Sequence, residues 1–488
     1  MYSLNSDSKA ASGVVLSGAT VAALLLAAET SPGFWVGIAF ALVTVLYAAR
    51  TSWLLLLCLF PLAFAIRPAP DQIGVQEVIF ALIATSAILL SVAESIAANS
   101  WREALRIFGL PAGMMGGLVV INAYVALSHA VSLTDWLRGL IPFVFLLLAI
   151  PLTICLREKP DRLPWLGLAT VLLGVLMAGH VVFTFLNEGL YQPYWLQVEG
   201  ASRIRIPESA LAMHPDVLGP FWDRVTMHSA RATTVVLPVG LVAAFVVAGH
   251  AHSRVVSAMA LGLAILFLAA ILMTLTRSML LAALSVMCVV MLATILWWRR
   301  MFARYLILLV VLMVSGWGMV QAMGLESLWN YRMYGLIEAA DAHRVSASIS
   351  DDNVISRMDE LKIAWERFID HPVFGNGLGN KHTMTFIWPE GVMEKQVAYV
   401  HNWPAYFLMA TGFTGWVVYA ALLFGPVLFG MNALRHEPLM ITAMRAGVLA
   451  MAAYGLFFAV FRLIDFNLIL AAAWAMVLAQ RIPRAGAT

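Results

Sequence analysis

Arg277, Arg357 and His401 are the side chains whose type and setting suit chemistry on a phosphorylated substrate. Arg357 stands in SRMDELKIAWERFIDHP, where Ser356 and Asp359 have the S-x-x-D spacing of a capping box and His371-Pro372 supplies a stop. A helix over 356–370 puts Arg357, Leu361, Ala364 and Phe368 on one face. A guanidinium on a packing face needs an anion, and the first helical turn offers N–H groups to the same anion. Two-point contact with phosphate is one reading. An internal ion pair with Asp351, Asp352 or Glu390 is the other, drawing on the same chemistry. His401 and Asn402 precede Trp403-Pro404 and a long apolar run, with Asn402 suited to the N-cap and Pro404 to the first turn. The positive helix end favours neutral imidazole, which can take a proton from a sugar hydroxyl as a general base. A histidine that only caps an interfacial helix has the same spacing. Arg277 lies between MTLT and SMLLAALSVM, at the outer end of an apolar run. A cation at that depth is either functional or snorkels to the interface.

Supporting candidates surround these three. Gly375, Gly377 and Gly379 in PVFGNGLGN form a turn where backbone can approach a ligand closely, or where a helix simply exits. No strand precedes it, which excludes a nucleotide-binding fingerprint. Gly412 and Gly415 in TGFTG suit close helix packing. In RIRIP, alternation places Arg203 and Arg205 on one side of an extended segment, facing lipid headgroups, a diphosphate or solvent. His214, Asp216 and His228 lack metal-ligand spacing, and no Ser/His/Asp set can be assembled, so neither a metal nor a cofactor is expected.

The elements that position these residues are membrane helices. Of 488 residues, 62% are hydrophobic and 12% charged, against roughly 45–50% and 25% in soluble domains. A net charge of +3 without a Lys/Arg run excludes nucleic acid as a partner. Cys58, Cys155 and Cys288 all fall in apolar segments, which excludes a disulfide framework. Runs of about 20 apolar residues predict about fourteen spans, near 11–28, 33–49, 52–66, 75–92, 108–130, 139–156, 164–186, 229–249, 255–273, 279–298, 305–322, 403–430, 439–460 and 465–480. The first reads as an uncleaved span rather than a signal peptide. The chain is a single membrane domain, 1–488, with two polar insertions at 187–228 and 323–402. With both termini cytoplasmic, short outer loops carry only Arg67, Arg138, Arg277 and Arg462, against fourteen Lys and Arg residues in the cytoplasmic segments. Both insertions and Thr276-Arg277-Ser278 then share the outer face.

Together these residues resemble the O-antigen ligase/polymerase family of bacterial envelope membrane proteins. The resemblance rests on LTRSMLLAAL, on Arg357 with Trp365 and HPVFGNGLGN after it, and on HNWPAYFLMATGFTGWVVY, across roughly 270–425. It implies an all-α, polytopic, glycosyltransferase C-like fold with two extracytoplasmic insertions, in the bacterial inner (cytoplasmic) membrane. It also implies a metal-independent, inverting glycosyltransferase, which moves a glycan from undecaprenyl diphosphate to an acceptor hydroxyl at the periplasmic face. The ligase branch takes lipid A-core as acceptor, the polymerase branch another lipid-linked repeat unit, and a further branch protein side chains. On this resemblance Arg277 and Arg357 bind the donor diphosphate and His401 acts on the acceptor hydroxyl. One stretch departs: DRVTMHSARATTVVLP lacks the Pro-Asn often found there in the family, so no acceptor contact is carried over to Arg224 or Arg231. Repeat-unit polymerisation of an O-antigen or exopolysaccharide is the alternative within the enzyme class. A lipid-linked sugar transporter or flippase is the alternative outside it, although transporters place polar residues at the midplane and often show repeated halves.

Overall fold

Lipid leaves no water for backbone N–H and C=O groups, so apolar runs must satisfy them internally as helices. Each of the fourteen predicted stretches contains a helix in the computed structural model, which describes residues 6–65, 75–98, 100–186, 234–274, 276–297, 299–326, 329, 349–388, 391–430 and 437–481. Among the described residues ten helices are long and apolar enough to cross a membrane, from Ser8–Ala27 to Trp403–Leu428. The other four, Ser52–Leu62, Val236–His250, Leu439–Tyr454 and Ile464–Gln480, are shorter. Of the roughly fourteen spans expected, ten among the described residues have the length to cross a membrane, and the other four stretches hold shorter helices. The 187–228 insertion, including Arg203 and Arg205, lies outside the described residues, as does Glu390.

The short helices are the inner ones. All eleven residues of Ser52–Leu62 are buried, and Val236–His250 and Leu439–Tyr454 bury most of theirs. Helices that are apolar on every side are suited to a position surrounded by other helices. Trp101–Ser128, by contrast, leaves Leu110, Val120 and Tyr124 exposed as an outward apolar face. One interior cation is fully accounted for. Arg445 pairs with Glu437 through Nη2 to Oε1 at 2.8 Å and Nε to Oε2 at 2.9 Å. It also donates to the carbonyls of Pro426, Val427 and Phe429, closing the end of Trp403–Leu428.

Two features of the larger insertion differ from expectation. Its helix runs Ile349–Asp370 rather than 356–370, so Ser356 and Asp359 lie inside it and form no capping box. The helix begins seven residues before Ser356. Arg357 is eight residues beyond Ile349, roughly 12 Å along the axis, and the N–H groups of the first turn do not reach it. The stop before His371-Pro372 is where the sequence puts it. Beyond lies an antiparallel hairpin, His382–Trp388 with Gly391–Val397, in register from His382 opposite Val397 to Trp388 opposite Gly391. It adds a small sheet to an otherwise helical protein.

The turn between helix and hairpin is locked into a break in a membrane helix. Within Trp403–Leu428, Gly412 has φ 65° and ψ −170°, which interrupts the backbone ladder. The interrupted groups are taken up by the turn. Asn376 N–H donates to Met409 O at 3.0 Å and Gly377 N–H to Ala410 O at 2.9 Å. In return Phe413 N–H donates to Pro372 O at 2.8 Å and Thr414 N–H to Val373 O at 3.3 Å. Asn122, from Trp101–Ser128, completes the joint. Its Nδ2 donates to Ala410 O at 3.0 Å, and its Oδ1 accepts from Leu378 N–H at 3.0 Å and Trp136 Nε1–H at 3.2 Å.

Candidate functional site

Asn402 is the N-cap of Trp403–Leu428, its Oδ1 accepting from Ala405 N–H at 3.0 Å. The same side chain donates from Nδ2 to Leu456 O at 3.0 Å, while Trp403 N–H reaches Gly455 O at 3.0 Å. Asn402 therefore sets the start of the helix and ties it to the end of Leu439–Tyr454. That fixes where His401, one residue earlier, must stand.

His401 meets a residue that the spacing argument overlooked. Glu360, only 2% exposed, accepts from the His401 backbone N–H through Oε2 at 2.7 Å. Its two oxygens lie 2.8 and 2.9 Å from His401 Nδ1. Arg357 Nη1 donates to the same Oε1 at 2.7 Å. Of the two readings of Arg357 the ion pair is thus present, with the acid three residues along its own helix. Burial pushes the Glu360 carboxyl up to about 7, although the neighbouring Arg357 charge and hydrogen bond pull the other way.

The packed side of the helix is correspondingly different from the expected one. Glu360 and Ala364 are buried, whereas Leu361 is 43% exposed. The inward face runs Arg357, Glu360, Ala364 at i, i+3, i+7, and Leu361 faces out with Met358 and Trp365. The signal for Glu360 was present: an acid three residues after an arginine on one face is a natural partner. Spacing does not report burial, and it is burial against the start of Trp403–Leu428 that sets Glu360 apart from the other acids of the helix.

Aromatic rings enclose the pair. His401 lies edge-on between Tyr399, at 5.1 Å and 77°, and Phe458, at 5.3 Å and 75°. Arg357 Cζ is 5.9 Å from the Phe458 ring, and Arg462 Cζ is 4.8 Å from that of Tyr399. Basic side chains therefore alternate with rings: Arg357, Phe458, His401, Tyr399, Arg462. A cleft of about 230 Å³ opens between the helix and the first strand, lined by Asp359, Lys362, Glu366 and Thr383, with Glu360 also on its wall.

Arg277 comes from a separate element. It is the first residue of Arg277–Trp297 and is partly buried. That helix packs on Leu439–Tyr454, whose far end receives Asn402 and Trp403.

Of the two readings of Gly375 and Gly377, the geometry favours the turn that leaves a helix. Both have positive φ, 70° and 88°. A Cβ on Gly375 would lie 2.5 Å from Gly412 N, and one on Gly377 would lie 2.4 Å from Ala126 Cα. Helix backbone already fills the space that a ligand would need, so these glycines seat the turn. Gly412 does allow close packing, but against the turn at Val373 rather than against a second helix. Among the described residues no group of three or more His, Cys, Asp or Glu is placed to hold a metal ion.

No curated protein matches the chain. Residues 262–420, about a third of its length, match the family model described as Wzy_C, O-antigen ligase. That stretch contains Arg277, Arg357, Glu360, His401 and the helix break with its docked turn. Across residues 262–420, then, this polytopic membrane protein is similar to the O-antigen ligase family.

Proposed function

We propose that the protein is a metal-independent, inverting membrane glycosyltransferase. It moves a glycan from undecaprenyl diphosphate to an acceptor hydroxyl at the periplasmic face of the inner membrane, as a ligase with lipid A-core as acceptor. One observation carries the reading: a half-exposed arginine and a histidine at a membrane-helix start meet on one buried carboxylate. A cation for the leaving group and a base for the nucleophile thus stand side by side.

In the proposed step His401 Nε2 takes the proton of the acceptor hydroxyl. The oxygen attacks the anomeric carbon from the face opposite the diphosphate, a carbon–oxygen bond forms, and the bond to the diphosphate oxygen breaks with its electron pair. Arg357 and Arg277 hold the charge that gathers on the leaving diphosphate, the kind of electrostatic help that often dominates catalysis. Among the described residues only Nη1 of Arg357 is hydrogen-bonded, which leaves the other guanidinium donors for the phosphate oxygens.

The test is transfer by membranes carrying Arg357→Ala or His401→Ala, supplied with lipid-linked glycan and lipid A-core. Arg357→Ala lowers the rate ~10²–10³-fold, and His401→Ala ~10²–10⁴-fold. Transfer at the wild-type rate by either variant would overturn the mechanism. Deleting the gene distinguishes ligase from polymerase, since a missing ligase leaves long lipid-linked polymer unattached and a missing polymerase leaves single repeats.

A further inference from the structure

We infer that Glu360 is the positioning residue of the acceptor-activating histidine: it holds His401 with Nδ1 protonated and Nε2 turned outward, and joins that base to Arg357 through one carboxylate. The inference rests on the reading of His401 as the base and adds a residue that neither spacing nor resemblance supplied.

Glu360 grips His401 at two points, the backbone N–H at 2.7 Å and ring Nδ1 at 2.8 Å. The first pins the main chain and the second the ring. Tyr399 and Phe458 stand edge-on on either side and restrict rotation of the imidazole. An ionised carboxylate accepts only, so Nδ1 must carry the hydrogen and the lone pair must sit on Nε2. No hydrogen bond occupies Nε2 among the described residues, and that atom is the one free to receive a proton from substrate. A buried carboxylate with fewer donors would be expensive to keep ionised. Here His401 and Arg357 between them supply three donors.

Oε1 is shared, 2.7 Å from Arg357 Nη1 and 2.8 Å from His401 Nδ1. When a diphosphate draws on Arg357, the carboxylate loses part of its cationic neighbour and binds the imidazole proton more strongly. The base therefore strengthens as the donor arrives. The other titratable groups around the pair are Asp359, Lys362 and Glu366 on its own helix and Tyr399 beside His401. Arg462, Tyr454 and Asp465 face it from the C-terminal elements. All stay constant in the substitutions below.

The experiment compares wild type, Glu360→Gln, Glu360→Asp and His401→Ala in membranes, with lipid-linked glycan as donor and lipid A-core as acceptor, across pH. Glu360→Gln is expected to lower kcat ~10²–10⁴-fold, as a carboxylate-to-amide change beside a catalytic histidine does elsewhere. Its donor KM changes much less, and the acidic limb of its rate profile moves to lower pH because the charge that stabilises imidazolium is gone. Glu360→Asp restores the charge at a shorter reach and recovers part of both rate and limb. In wild type, the limb of kcat lies at higher pH than that of kcat/KM, because donor binding occupies Arg357. Wild-type transfer by Glu360→Gln, or a slow Glu360→Gln enzyme with an unmoved limb, overturns the positioning role. Full transfer by His401→Ala overturns the base itself, which is a separate result. Should Glu360→Gln fail to accumulate in the membrane, the Glu360→Asp profile decides: an unmoved limb with full rate overturns the role.

Discussion

The turn over 371–380 and the cluster of Arg357, Glu360 and His401 come from one polar stretch, yet they are held by opposite means. The turn is a backbone structure. Its N–H and C=O groups replace those lost at Gly412, and its glycines are needed because helix backbone lies where a side chain would start. The cluster is a side-chain structure, in which one buried carboxylate holds a guanidinium and an imidazole. The first is neutral and satisfied, and it resembles a joint. The second keeps charge and an open ring nitrogen, and it resembles a tool. Changes in the turn should therefore act on folding, and changes in the cluster on rate.

His401→Ala is the sharpest way to break that contrast. Transfer should fall ~10²–10⁴-fold while the thermal midpoint in detergent stays near the wild-type value. A large loss of melting temperature would put His401 in the joint instead. Gly377→Ala should do the reverse. A Cβ at φ 88°, 2.4 Å from Ala126 Cα, combines backbone strain with overpacking, together about 2–6 kcal/mol. Detergent extraction should recover little folded protein, and what survives should keep its wild-type donor KM. Asn122→Ala is milder. It leaves Leu378 N–H and Trp136 Nε1–H without their acceptor, while Ala410 O keeps Gly377 N–H, worth ~1–3 kcal/mol for a buried group left unsatisfied. A lower thermal midpoint with an unchanged pH–rate profile is the expected result, and a moved profile would tie the joint to the chemistry.

The smallest effect is one of pH on stability. Burial raises the Glu360 carboxyl from 4.5 to about 7, so the folded protein binds that proton more tightly than the unfolded chain. The stability it contributes is full below pH 4.5 and declines as pH rises through about 7. Thermal midpoints of wild type should show this decline relative to Glu360→Gln, which has no such proton. Parallel curves for the two proteins would remove Glu360 from the linkage. The same ionisation acts in the other direction on rate, since only the charged carboxylate accepts from Nδ1–H.

Much of the architecture was legible because it follows from local chemistry. Long apolar runs must be helical in lipid, His371-Pro372 ends a helix, and Asn402 before Trp403-Pro404 caps one. The start of the loop helix was harder, because Ser356-x-x-Asp359 and the acidic pair Asp351-Asp352 both resemble a beginning and the chain chose the earlier. The hairpin went unread because His382–Trp388 and Gly391–Val397 draw their pattern from pairing with each other. The glycine turn resembled a ligand loop because positive φ reports only that backbone is crowded, not what crowds it.

By itself, then, the sequence determined that the protein lives in a membrane, where its helices lie, and that Arg277, Arg357 and His401 merit attention. It could do so because helix formation, capping and charge placement depend on residues close in the chain. Only the tertiary structure decided that Glu360 meets His401, forty-one positions away, and that the glycines belong to a joint. Those relations depend on which surfaces meet, and burial of one carboxylate between two helices is set by packing rather than by spacing.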